Sequence, residues 1–228
     1  MRNPVVDYRD LRISNLDEPR YAHLKLLAGW PVYFVLYFLT ERLIPLSRCH
    51  VIHCVLDDII PFHEGFVLLY CYWYLLIAFS LLWFACYDVC SFKRLQVYIM
   101  ITQAVAVMVY VLYPSVQLLR PDHFERDNLL TRLVAFIYAF DTPTGVCPSL
   151  HVAYSLGIAS TWCHREDGRC AGKAVSVLSA VAISLSTAFV KQHSVVDICA
   201  ALPVGLLAEW LVFGDTPLRR WIEGSPER

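Results

Sequence analysis

Charge is what this sequence has least of. Asp, Glu, Lys and Arg make up only 17% of the 228 residues, against 57% hydrophobic residues, and mean hydropathy is +0.50. An ordinary soluble domain has about 25% charged residues overall, so both that class and a disordered chain are excluded. The formal net charge is −1 with a pI near 6.7, and no Lys/Arg run alternates with aromatics, which removes nucleic acid as a partner. There is no CxxC pair and no Cys/His metal spacing. The nine cysteines are an odd number, and Cys71, Cys86, Cys163 and Cys199 lie in apolar runs where they read as small hydrophobic fillers. No fixed-period repeat and no Gly/Ser/Pro linker divides the chain, so one domain is expected. Residues 1–27 mix both signs of charge and lack the short basic start and apolar core of a secretory signal. They read as a retained cytoplasmic or interfacial segment.

What is present is length of apolar sequence. Runs near 28–46, 65–87, 95–113 and 174–190 reach the roughly 20 residues that a bilayer core of about 30 Å requires. Two more, 150–163 and 194–213, open on polar residues and continue apolar. The expectation is an all-α integral membrane bundle of six transmembrane helices, with a catalytic membrane domain over 28–214 and a cytoplasmic tail over 215–228. With the N-terminus inside, six of the 19 Lys and Arg residues fall outside (Arg42, Arg48, Arg120, Arg126, Arg132 and Lys191) and thirteen inside. The inner set includes Arg2, Arg169 and Arg228. The positive-inside rule therefore puts both termini in the cytoplasm. The loop 114–149, the start of the fourth span and the junction of the fifth and sixth then share the outer face.

Ionisable residues near membrane depth are costly and mark functional sites. Two stretches carry them: "CPSLHVAYSLG" at 147–157 and "KQHSVVDICAALP" at 191–203. His193 and Asp197 are spaced i, i+4, on one face of a helix beginning near Ser194, so the carboxylate can fix the imidazole tautomer and leave the other nitrogen free to act. His151 opens a helix behind Pro148. An anion beside Ser149 would meet free N–H groups and the positive end of that helix. Arg120, before Pro121, can clamp an oxyanion bidentately. Together these residues suggest phosphoryl transfer, in which one imidazole attacks phosphorus and the other protonates the departing oxygen. The stretch "DDIIPFHEGF", with Asp57, Asp58, His63 and Glu64, reads as a re-entrant or interfacial turn in preference to a metal site. A small transporter would bury its polar residues mid-span in related halves, whereas these cluster at one end. An intramembrane serine protease would surround Ser149 with a GxSG-type turn, which is missing.

The segments "PSLH" (148–151), "STAFVKQHSVVD" (186–197) and "YPSVQLLRP" (113–121) resemble, in order and spacing, the PSGH-type second motif, the SRxxxxxHxxxD third motif and the KxxxxxxRP first motif of the type 2 phosphatidic acid phosphatase superfamily. The resemblance runs from about Tyr113 to Pro203. It implies a membrane lipid phosphatase acting on a phosphatidic acid-like lipid without metal or cofactor. His193 would form the phosphohistidine, Asp197 would orient it and His151 would protonate the leaving group, while Arg120 and Ser149 hold phosphate. The motif departs from the family where Tyr113 and Thr187 stand in place of cations and Leu150 in place of glycine. Lys191 is a candidate for one replacement charge. Loss of the cations is similar to the sphingomyelin and inositol phosphorylceramide synthase branches, which leaves transfer of a phosphoryl headgroup to a lipid alcohol as the alternative. The site is expected to face the extracytoplasmic side of the plasma membrane.

Overall fold

The computed structural model describes residues 4–166 and 170–224. Arg2, Arg169 and Arg228 of the charge count lie outside the described residues. Helices are almost the only regular secondary structure in the described chain, and five of them are long and apolar enough to cross a membrane. The first candidate span, Ala22–Leu43, joins a 3-10 turn (Ala22–Ala28) to α1 (Gly29–Leu43), so it begins earlier than the apolar run alone marks. The others are α3 (Val67–Tyr87, with the 3-10 turn Glu64–Phe66 before it), α4 (Val89–Leu112), α7 (Cys170–Phe189) and α8 (Val195–Phe213). Short helices are α2 (Val55–Ile59), α5 (Leu129–Phe140) and α9 (Pro217–Glu223). Between α5 and α7 lies α6 (Leu150–Cys163), whose 14 residues rise only about 21 Å at 1.5 Å per residue.

Helix ends follow from side chains that satisfy the first free N–H groups. Asp88 alone separates α3 from α4: extended backbone at φ −161° ends one helix, and its carboxylate accepts the Ser91 N–H at 3.0 Å to start the next. This cap explains why α4 starts six residues ahead of the expected 95. Asn128 accepts the N–H groups of Leu130 and Thr131, so α5 forms inside what reads as the loop 114–149.

Although short, α6 is the most enclosed helix. It packs against α3, α4, α7 and α8, and Leu150, Val152, Ala153, Tyr154 and Ile158 join Trp73, Phe84, Leu95, Ile99 and Ile183 in the main core. The outward faces carry a different population: Val35, Phe38, Leu75, Phe79, Leu178, Val181, Leu202 and Leu206 are all exposed. So broad an apolar surface suits hydrocarbon.

The bundle has two distinct ends. At one, β1 (His50–Val51) pairs in parallel with β2 (Ser115–Val116), and Val116 bridges Thr144, tying three connecting segments together. At the other, the Val5 N–H bonds the Cys86 carbonyl, the Tyr8 hydroxyl meets Ala85 O and His23, and Arg165 pairs with Asp88 at 3.2 Å. The α9 helix folds back there and buries Ile222. All the residues singled out for chemistry lie at the first end.

Candidate functional site

The site is built from two helix beginnings. Ser149 caps α6, its Oγ accepting the Val152 N–H at 3.5 Å, and Ser194 caps α8, its Oγ accepting the Val196 N–H at 3.1 Å. The two starts are stitched together by the Ser149 N–H, which donates to the Asp197 carbonyl at 3.1 Å. This bond is the local reason two motifs 40-odd residues apart share one place.

Within that junction three side chains line up. His193 Nδ1 lies 3.3 Å from Asp197 Oδ2, and His193 Nε2 lies 3.3 Å from His151 Nδ1. Asp197 is fully buried, and Oδ2 also accepts the Ser194 N–H at 3.0 Å. A carboxylate oxygen accepts, an arrangement compatible with a proton on His193 Nδ1 and a lone pair on Nε2 towards His151 Nδ1. The rings of Trp73 and Tyr70 lie against the His151 ring, with centroids 4.2 and 4.5 Å away. They hold its plane and keep water from that side. Cys147 stands beside Asp197, and burial together with that carboxylate pushes its thiol up to about 12, so it stays neutral.

The turn that delivers His193 is over-determined. The Thr187 carbonyl accepts both the Gln192 and the His193 N–H, the Val190 carbonyl accepts the Tyr138 hydroxyl at 2.6 Å, and Lys191 takes the left-handed conformation at φ +53°. Thr187 itself is fully buried and its hydroxyl donates to the Ser184 carbonyl. Tyr113, the other residue standing where the family pattern has a cation, is stacked on His50 at 4.1 Å.

Arg120 reaches the same turn. Its guanidinium donates to the carbonyls of Tyr138 (3.0 Å) and Asp141 (2.7 Å) and to Gln192 Oε1 (2.6 Å), and it lies over the Tyr138 ring. Burial lowers its pKa, with Asp141 opposing that shift. Gln192 Nε2 donates to Asp141 Oδ2 at 3.2 Å, and the Tyr70 hydroxyl donates to the same oxygen at 3.2 Å. Burial pushes the Asp141 carboxyl above the ordinary carboxylate range, against the pull of His193 and Arg120.

The structure thus brings His151, His193, Asp197 and Ser149 together, with Arg120 one residue away through Gln192. Lys191 is engaged elsewhere: Nζ donates to the carbonyls of Asp57 (2.7 Å) and Ile60 (2.5 Å) at α2, and burial lowers its pKa. Sequence reading missed Tyr70, Trp73, Asp141 and Gln192. Gln192 adjoins the quoted histidine, but an amide carries no chemical signal of its own, and Asp141 sits in a stretch that reads as plain loop. Among the described residues no group of three or more His, Cys, Asp and Glu side chains is arranged to hold a metal ion. Asp58 pairs with His53 at 2.8 Å, His63 accepts the Gly65 N–H, and Glu64 accepts from Arg126 and Asn128.

No protein-family model matches the chain, and neither the curated proteins nor the solved structures contain a match to it.

Proposed function

We propose that this chain is a membrane-embedded, metal-independent lipid phosphatase of the type 2 phosphatidic acid phosphatase superfamily. The observation that carries the reading is the relay Asp197–His193–His151, with two 3.3 Å contacts at the joined starts of two apolar helices. His193 Nε2 attacks phosphorus and the phosphorus–oxygen bond to the lipid breaks. The departing oxygen takes a proton from the His151 imidazolium; water then attacks the phosphohistidine, giving its proton to the now neutral His151, and the His193–phosphorus bond breaks to release phosphate. Arg120 Nε and the first-turn N–H groups of α6 supply positive charge to the equatorial oxygens.

The accompanying topology has six spans, with α6 as a short central one whose polar start opens at the extracytoplasmic side of the plasma membrane and both termini in the cytoplasm. Enclosure of α6 by its neighbours supports it, because a helix shielded from lipid need not match the bilayer thickness.

One observation favours a second reading. Lys191 is committed to α2 carbonyls, and a carboxylate, Asp141, borders Arg120 and Gln192. Such a site suits a phosphodiester with about one negative charge better than a monoester with about 1.5 to 2, as in transfer of a phosphoryl headgroup to a lipid alcohol. The test is product chromatography with purified protein in detergent, offered phosphatidic acid and headgroup phospholipids with and without diacylglycerol or ceramide, together with acid-labile phosphate trapped on His193. Free phosphate from phosphatidic acid supports hydrolysis, and a new headgroup lipid appearing only with acceptor supports transfer. Neither product, with no adduct on His193, sinks both.

A further inference from the structure

We propose that Asp57 is a positioning residue for the His193–Asp197 pair, acting through a clasp between the α2 segment and the start of α8. Asp57 is 3% exposed although it lies in a connecting segment. Its carboxylate takes three donors: Ser194 Oγ–H at 2.6 Å, the Val195 N–H at 2.8 Å and the Cys54 N–H at 2.8 Å. Two of those three come from the α8 start, 137 and 138 residues away in sequence. Lys191 closes the other side by donating to the carbonyls of Asp57 and Ile60. The turn 191–195 is therefore gripped before and after His193 by one short helix.

The consequence for the pair comes through Ser194. Its N–H goes to Asp197 Oδ2, the oxygen that also faces His193, while its hydroxyl proton goes to Asp57. Because the hydroxyl proton is drawn to Asp57, the oxygen lone pairs are left for the Val196 N–H, and the first turn of α8 is fixed with Asp197 facing the imidazole. Asp57 touches neither the histidines nor any reacting atom. Its negative charge at a helix start is favourable in itself, so a purely stabilising role has to be separated from positioning.

The clasp is tested independently of the catalytic reading by diethyl pyrocarbonate labelling of His193, mapped by peptide mass spectrometry in the full-length protein in detergent. His193 is 8% exposed, and Asp57→Asn should raise its labelling rate at least about fivefold through local opening of the turn. Asp57→Glu should recover part of the protection. Asp58→Asn, which loses only an exposed ion pair to His53, should label as wild type. If Asp57→Asn does not fold, Ser194→Ala and Lys191→Met carry the same readout from the two sides of the clasp. Labelling at the wild-type rate in the folded variants overturns the proposal. The activity arm rests on the function proposed above: Asp57→Asn should lower kcat per folded molecule about 10- to 100-fold with KM little changed, as misplacement of a reacting group does. Unchanged kcat would leave Asp57 a stabilising residue only. Raised labelling in a protein whose wild type turns over no lipid phosphate would keep the clasp and remove the enzyme reading.

Discussion

His151 Nδ1 and His193 Nε2 face each other at 3.3 Å, so the lone pair proposed to attack phosphorus is occupied by the proton proposed to leave with the lipid. Under the proposed mechanism a phosphoryl group would enter between them, and their contact would shield the proposed nucleophile from water until then. His193→Ala and His151→Ala are each expected to abolish release of phosphate or headgroup, with thermal stability in detergent near wild type. Asp197→Asn should lose about 10²–10⁴-fold, because an amide can present the wrong partner to Nδ1. Substantial turnover by His193→Ala would remove the nucleophile assignment.

Asp141 yields a prediction in pH. Burial raises its carboxyl pKa in the folded chain, so its neutral form is favoured on folding. That contribution is fully present below the unfolded value of about 3.9 and is lost as pH rises through the higher folded value. Asp141→Asn, which keeps an acceptor for Tyr70 without a charge, should therefore gain thermal stability over wild type at pH 8 and gain little at pH 4. A difference that is constant between the two pH values would show that burial does not penalise the charge.

The helices long enough to cross a membrane were legible because an apolar run of that length satisfies its backbone hydrogen bonds internally as a helix. The His/Asp pair was legible for the same reason that it is costly there. Caps blurred the edges: Asp88 and Asn128 each start a helix that hydropathy alone does not mark. Lys191 illustrates what a linear reading misses. It stands two residues before His193, but its ammonium is bound by carbonyls more than 130 residues away. Asp57 lies in a stretch that reads as an interfacial turn, and only the fold reveals the α8 start as its partner.

Chelation gives a third test. Every side chain of the 57–66 stretch with ligand chemistry has a partner: Asp57 at Ser194 and Val195, Asp58 at His53, His63 at Gly65, and Glu64 at Arg126 and Asn128. Recruiting a divalent ion would cost those bonds. Activity is therefore expected to be unchanged by EDTA. A loss restored by Mg²⁺ or Mn²⁺, with direct binding measured by calorimetry and abolished in Asp58→Asn, would reopen that stretch as a metal site.

The end of the bundle opposite the histidines should affect stability without affecting chemistry. Arg165 is 5% exposed, pairs with Asp88 at 3.2 Å and lies 4.2 Å from the centre of the Trp83 ring. It thereby joins the end of α6 to the one-residue turn between α3 and α4. Asp88 keeps a quarter of its side chain exposed, so the full 3–5 kcal/mol lost on breaking a buried pair is too large. A cost of about 1–3 kcal/mol is expected for Arg165→Met, which keeps the packing stem and deletes the charge. At about 2–4 °C per kcal/mol for a chain of this size, the midpoint in detergent should fall by several degrees. Below that midpoint, kcat and KM should equal those of wild type, since Arg165 and the proposed relay lie at opposite ends of the bundle. Equal stability with impaired kcat would mean that the two ends of the bundle are coupled through α6, the one helix that runs between Arg165 and His151.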